Sequence, residues 1–261
     1  MEWYRIKALL LNYYYFTINS ADRMFDIFFW PLLDIFIWGF MTTFIQGITD
    51  FNLINVIFGA IILWVFVWRS SQDVVVYLLE SYWSRSIYHL FVSPVRSSEI
   101  VVSLCLLGFL RSLISFVILS ILSFLLYTFN ILILNPWHFA LFVVILLLFG
   151  WALGLVVSSL VYIFGSRVQA LAWSSIWIIQ PFSCVFYPLS ALPGWAAKVA
   201  AVLPTTYVFE GLRASLRGEP LNYGSLQYAV VFVLVFLAVA SIIMVWSIAI
   251  AKKRGTFAKP E

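Results

Sequence analysis

Polar residues are scarce along this chain, and their positions divide it. Apolar runs recur at about 25–46, 54–77, 100–127, 138–162, 168–188 and 226–250. Each is close to the ~20 residues an apolar helix needs to cross a hydrocarbon layer. Barrel strands would run to about 10 residues and alternate, which these runs do not. The pattern therefore predicts an all-α integral membrane protein with six transmembrane helices. Residues 1–23 read differently. On a helical wheel Glu2, Arg5, Asn12, Asn19, Ser20 and Arg23 gather within roughly 100° of one another. Trp3, Ile6, Leu10, Tyr13 and Tyr14 fill much of the remainder, and Lys7 and Asp22 interrupt the pattern. This predicts an interfacial helix in the headgroup layer, with the run Tyr13-Tyr14-Tyr15-Phe16 at the depth where aromatic belts form.

Composition narrows the solvent. The 261 residues are 64% hydrophobic and 10% charged, with a mean hydropathy of +1.04. Soluble domains carry about 25% charge, so the solvent here is lipid. The connections are too short for a separate domain, and the whole chain, 1–261, reads as one transmembrane unit. The net charge of +4 is no nucleic-acid signal, because Lys and Arg are scattered and flank the spans. Arg5, Lys7, Arg23, Arg85, Arg96, Arg167 and the C-terminal Lys252, Lys253, Arg254 and Lys259 fall on one side of a six-span topology. The first and third connections, Gly47–Leu53 and Thr128–Trp137, hold no Lys or Arg. Both termini are expected to be cytoplasmic. Cys105 and Cys184 lie in apolar runs and read as small buried hydrophobes rather than a disulfide framework. No cleavable signal and no Asn-x-Ser/Thr site is apparent.

The fifth connection breaks the charge rule with Lys198, Arg213 and Arg217. It opens with Pro181, Pro188 and Pro193, so the fifth span must kink or end there. Two short helices follow, Gly194–Val202 and Thr205–Leu216, parted by Pro204. Neither is long enough to cross, and a re-entrant hairpin over 189–217 on the outer face is the economical reading. Tyr207, Glu210 and Arg213 recur every third residue and share one face of the second helix.

No phosphate-binding loop, His-Glu-x-x-His or Gly-x-Ser-x-Gly is present, so the chain reads as non-catalytic, with no metal or cofactor of its own. His89 and His138 fall on opposite sides of the membrane. Charges inside spans cost about 2.5–3.5 kcal/mol each on the insertion scale. Asp34 and Arg111 are the two that lie deepest, and both are expected to face protein or water. Arg69 and Asp73 read as an i,i+4 pair. For all four, structural pairing and a proton relay are the alternatives. The second connection, with Glu80, Trp83, Arg85, Tyr88, His89, Phe91, Pro94, Arg96 and Glu99, mixes aromatics with both charge signs. It reads as a solvated loop or as a short amphipathic helix, about 82–92, docking on a partner and ended by Ser93-Pro94.

These features together resemble the permease subunit of type 2 ABC exporters, the daunorubicin-exporter-like and nodulation lipo-oligosaccharide-exporter-like group. The resemblance rests on the interfacial helix, the six spans and the Phe-Val-Ser-Pro-Val stretch at 91–95. It rests also on Pro181 to Pro188, Leu192-Pro193-Gly194-Trp195, and Leu203-Pro204-x-x-Tyr207-x-x-Glu210-x-x-Arg213. It implies a plasma (inner) membrane exporter built from two permease subunits, of one kind or two, and two cytoplasmic ATPase subunits, which would hold the ATP and Mg. Residues 80–99 would be the coupling segment, with Trp83, Arg85, Tyr88, Phe91, Pro94 and Glu99 at the ATPase. The hairpin would cap the exit, with Pro193, Pro204, Tyr207, Glu210 and Arg213 as its markers. An amphiphilic substrate (drug, lipid or lipid-linked glycan) would then move past aromatics of the first and fifth spans. Trp30, Phe36, Trp38, Trp173, Trp177 and Phe182 are the candidates, with lipid-facing filler as the alternative reading. A polysaccharide-exporter permease, a gradient-driven carrier and an intramembrane enzyme are the other function classes. A carrier would show paired broken helices in two repeats, and an enzyme a nucleophile–base or metal constellation.

Overall fold

The structure, a computed structural model, describes residues 2–46, 53–84, 86 and 93–254. Nine α-helices occupy these residues, with no strand among them: α1 (Trp3–Ile18), α2 (Ala21–Gln46), α3 (Leu53–Trp83), α4 (Ser97–Tyr127), α5 (Pro136–Phe164), α6 (Gln169–Ile179), α7 (Gly194–Val202), α8 (Pro204–Arg217) and α9 (Tyr223–Arg254). Five of them, α2, α3, α4, α5 and α9, are long and apolar enough to cross a membrane. The expected fifth span, 168–188, is different. Its helix α6 has 11 residues, a rise of about 16 Å, and gives way at Pro181 to a 3-10 turn over Gln180–Phe182 and irregular backbone. The second span is longer than the apolar pattern indicated: α3 continues to Trp83 because Glu80 finds a partner inside the protein. Glu80 therefore belongs to a helix rather than to the second connection.

The central helix is α3, apolar on every side from Val56 to Val67 and buried along nearly all of it. It packs against α2, α4, α5, α6 and α8. Two apolar clusters stack along its length. One gathers Phe58, Trp64, Phe129, Phe142, Phe209 and Leu226. The other gathers Tyr13, Leu79, Ile100, Tyr162, Ala172 and Ala251. Between them, small residues let backbones close in. A Cβ on Gly150 would stand 2.7 Å from the Val67 carbonyl oxygen, and one on Gly154 2.7 Å from that of Ser71. Both distances are below contact, so this Gly-x-x-x-Gly step of α5 must stay bare for α3 to lie against it.

The remaining helices decorate the two ends. At the end of the second cluster, α1 docks through buried Ile6 and Tyr13 while Trp3, Tyr4, Tyr14 and Tyr15 stay exposed. One flank of this helix is thus held by protein and the other is open. At the opposite end, α7 and α8 match the two short helices expected from sequence. Pro193 precedes α7, Pro204 is the first residue of α8, and proline fits such positions because the first N–H groups lack helical partners. Helix α8 ends at Gly218, whose φ of +73° suits a residue without Cβ. Its Phe209 and Leu212 sink into the first cluster, so the hairpin is rooted in the bundle beside α3, α5 and α9.

Candidate functional site

Three structures meet around α2, α3 and α6: a layer of ion pairs, a tryptophan-lined cavity, and a clamp on the broken segment after α6.

The ion pairs sit where the two apolar clusters join. Residues 69, 73, 77 and 80 of α3 recur at helical spacing and present Arg69, Asp73, Tyr77 and Glu80 along one stripe. Arg69 does not bond Asp73, as the i,i+4 reading expected; both reach across to other helices. Arg69 Nη1 donates to Asp26 Oδ2 at 2.6 Å, and its Nη2 donates to the Asp26 carbonyl at 2.7 Å. Arg111 of α4 donates to Asp73 at 2.8 Å and approaches Asp26 Oδ2 at 3.4 Å. Cross-helix pairing wins because it gives each guanidinium a carboxylate in a medium where an unpaired charge is costly. Nearer the α1 end, Arg23 pairs with Glu80 at 2.6 Å and lies 3.3 Å over the ring of Phe16. Tyr13 and Tyr77 pack edge to face beside it, and burial pushes the Tyr13 hydroxyl up to about 12. Arg23, read from sequence as a flanking charge, is thus an internal one. The sequence reading missed Asp26, Arg23 and Glu80 as members; the spacing 69, 73, 77, 80 carried a signal for Glu80, and no local pattern pointed to Asp26 or Arg23. Three guanidiniums meet three carboxylates, so the groups of opposite sign are matched in number.

The cavity adjoins this layer through Trp68, whose ring lies 4.6 Å from the Arg69 guanidinium carbon and 6.0 Å edge-on from Trp30. It measures about 260 Å³. Helix α2 supplies Trp30, Leu33, Asp34, Ile37 and Trp38; α3 supplies Ile61, Trp64, Val65 and Trp68; α6 and the segment after it supply Ile176, Trp177, Gln180 and Phe186. The spacing explains the convergence, since 30, 34 and 38, and 61, 64, 65 and 68, each form one helical face. Of the six aromatics proposed from sequence, Trp30, Trp38 and Trp177 line the cavity. Phe36 stacks on Phe40 along α2, Trp173 is exposed on α6, and Phe182 packs against Trp195 of α7. Trp64, Trp68 and Phe186 were not foreseen. Asp34 and Arg111 do not meet: Asp34 faces the cavity and Arg111 belongs to the ionic layer.

The clamp explains how irregular backbone survives beside the spans. Arg213 is buried, and its guanidinium donates to the carbonyls of Cys184 at 2.8 Å, Tyr187 at 3.1 Å and Val185 at 3.3 Å. Glu210 Oε1 accepts from Arg213 at 3.2 Å and from the Leu189 N–H at 2.7 Å. Carbonyls that a helix would have satisfied are satisfied by side chains instead. Tyr207, on the same face, donates to the Ala201 carbonyl at 2.6 Å, and Thr206 donates to that of Ala200 at 2.7 Å, tying α8 to α7.

At the opposite end of the bundle, the residues proposed for coupling divide. Trp83 ends α3 and is half-exposed. Arg85, Tyr88 and Phe91 lie outside the described residues. Pro94 is exposed, and its carbonyl accepts from Arg5 at 2.8 Å. Glu99 is fully buried and accepts from the N–H groups of Glu2 at 2.8 Å and Arg96 at 2.9 Å. Its carboxylate therefore fastens α1 to the start of α4.

No curated protein matches the chain. Its sequence does match a protein-family description, "ABC-2 type transporter", over residues 15–216. That stretch takes in the ionic layer, the cavity and the clamp, and on it the chain belongs to the ABC-2 type transporter family and is a multi-pass membrane component of an ABC transporter.

Proposed function

We propose that this chain is the permease subunit of an ATP-driven exporter. It works as a pair of permeases with two cytoplasmic ATPase subunits and moves an amphiphilic substrate out of the cytoplasm or inner leaflet. The observation that carries this reading is the cavity between α2, α3 and α6, which closes against the segment fastened by the outer hairpin. A substrate site belongs where helices are broken and side chains replace backbone pairing. In this reading α6 and residues 180–187 together make the fifth crossing. Ala172 lies in the cluster near α1, and Val185 in the cluster under the hairpin, which supports a path from one side to the other. Both termini and the 84–96 connection then face the cytoplasm, as their Lys and Arg content favours. Trp83, half-exposed at the end of α3, offers a contact for the ATPase.

Reconstitution tests the proposal. The permease with its ATPase subunits should hydrolyse ATP faster when an amphiphilic substrate is added, and Trp83→Ala should lower that stimulation while leaving membrane insertion intact. A transport-competent preparation without any ATPase would refute it.

A further inference from the structure

The tryptophan cavity carries more information than an apolar hole would. Five of its lining residues are Trp30, Trp38, Trp64, Trp68 and Trp177, and among the described residues Asp34 is the one charged group that lines it. Indole faces are electron-rich and attract cations placed over them. The carboxylate is not spent elsewhere. Among the described residues no hydrogen bond or ion pair reaches Asp34, and Arg69, the charged group that acts on it, is already held by Asp26 at 2.6 Å. In its ionised form Asp34 places a negative charge at the wall of a low-dielectric cavity, which an incoming cation would offset. That cation is not a bare metal ion. Metal ions of the hard class need about six oxygen ligands, whereas among the described residues Asp34 and Gln180 alone line the cavity with carboxylate or amide oxygens.

We infer that the cavity binds an organic ammonium group, quaternary or protonated, carried by an amphiphile. The inference rests on the permease reading and names the substrate class for it. A space of about 260 Å³ accepts an ammonium head with small substituents but not a glycan chain. The apolar remainder of such a molecule leaves between α2 and α6, where Ile37 and Trp177 are exposed. The same head chemistry occurs in free hydrophobic cations and in choline-type lipids.

The test is equilibrium binding of radiolabelled benzyltrimethylammonium to the full chain in phosphatidylglycerol nanodiscs, with neopentylbenzene, its neutral isostere, as competitor. Saturable binding that the isostere does not displace is expected. Asp34→Asn should weaken it by about tenfold or more and Trp177→Leu by several-fold, as loss of a charge partner and of a ring face requires. Trp246→Leu, on the outer side of α9, should leave it unchanged. Repeating the titration in phosphatidylcholine nanodiscs separates the sources: lost probe binding identifies a lipid head group as the occupant, and retained binding a free cation. Equal competition by neopentylbenzene, or wild-type affinity in Asp34→Asn, overturns the inference. If Asp34→Asn fails to assemble, the isostere competition on the parent chain decides. Absent cation binding alongside ATP hydrolysis that still responds to other amphiphiles would remove the ammonium site and leave the permease reading standing.

Discussion

The ring of Phe186 lies on that of Trp38, with centroids 3.9 Å apart and planes 22° from parallel. The contact joins two parts of the protein that are distant in sequence. Trp38 belongs to α2 and lines the cavity. Phe186 belongs to the irregular segment whose neighbours on either side, Val185 and Tyr187, have their carbonyls held by Arg213. The hairpin therefore sets where Phe186 stands, and Phe186 forms the wall of the cavity nearest the hairpin.

A first prediction concerns that stack. Aromatic pairs contribute about 0.5–1.5 kcal/mol beyond their burial. Phe186→Leu and Trp38→Leu should each alter transport at normal expression. Because both remove one contact, the double variant should be no worse than the more affected single, a non-additivity that a double-mutant cycle in the transport assay reads. Additive losses would mean the rings act separately.

The clamp yields an asymmetric prediction. Arg213→Ala orphans three carbonyls and also frees the half-exposed Glu210. It should destabilise the protein by about 3–5 kcal/mol, the scale for breaking a buried charged pair. Arg213→Lys should rescue little, since an ammonium cannot span three carbonyls as a planar fork does. Glu210→Gln keeps an acceptor for the Leu189 N–H and should be mild. The Glu210→Ala/Arg213→Ala double change should match Arg213→Ala, because the carbonyls rather than the carboxylate dominate the loss. Thermal unfolding in detergent, followed by loss of the monodisperse peak, measures the order.

In the ionic layer, Asp26 serves two guanidiniums and Asp73 serves one. Asp26→Ala should therefore reduce folded yield more than Asp73→Ala, and pairing Asp26→Ala with Arg69→Met should recover part of it by removing the stranded charge. Equal yields for the two single variants would argue against the shared role of Asp26.

How far this architecture was legible in the sequence follows from what each feature depends on. The long spans and the two hairpin helices were readable because apolar run length and proline position are local properties. The end of α3 was not, because Glu80 is tolerated in a helix only through Arg23 of α2, a partner that no local pattern names. The Arg69–Asp73 spacing was visible, but helical neighbours on one face are as free to bond outward as to each other. The segment expected as a fifth span shows the limit most clearly: prolines announced a break, yet the bonds that make the break tolerable come from Arg213, some thirty residues later. Likewise Trp30, Trp38 and Trp177 were identifiable as path candidates, whereas nothing local sets Trp64 and Trp68 apart within their apolar run; it is the packing of α2 and α6 against α3 that makes them part of the wall.

The glycine step of α5 gives a packing prediction. Gly150→Ala and Gly154→Ala each force a methyl to within 2.7 Å of an α3 carbonyl oxygen. Overpacking of this kind costs about 1–3 kcal/mol, so both variants should lower the unfolding temperature. Gly194→Ala, at a site with nothing within 4 Å, should not. A stable Gly154→Ala protein would mean that α3 and α5 can separate without loss.

The most direct measurement of the central claim is transport in proteoliposomes that contain this chain and its ATPase subunits, using a fluorescent amphiphilic ammonium compound as substrate. The account predicts movement that requires ATP, stops when the ATPase is made inactive, and falls with Trp177→Leu although the subunits still assemble. Movement that proceeds without the ATPase and follows an imposed ion gradient would contradict it.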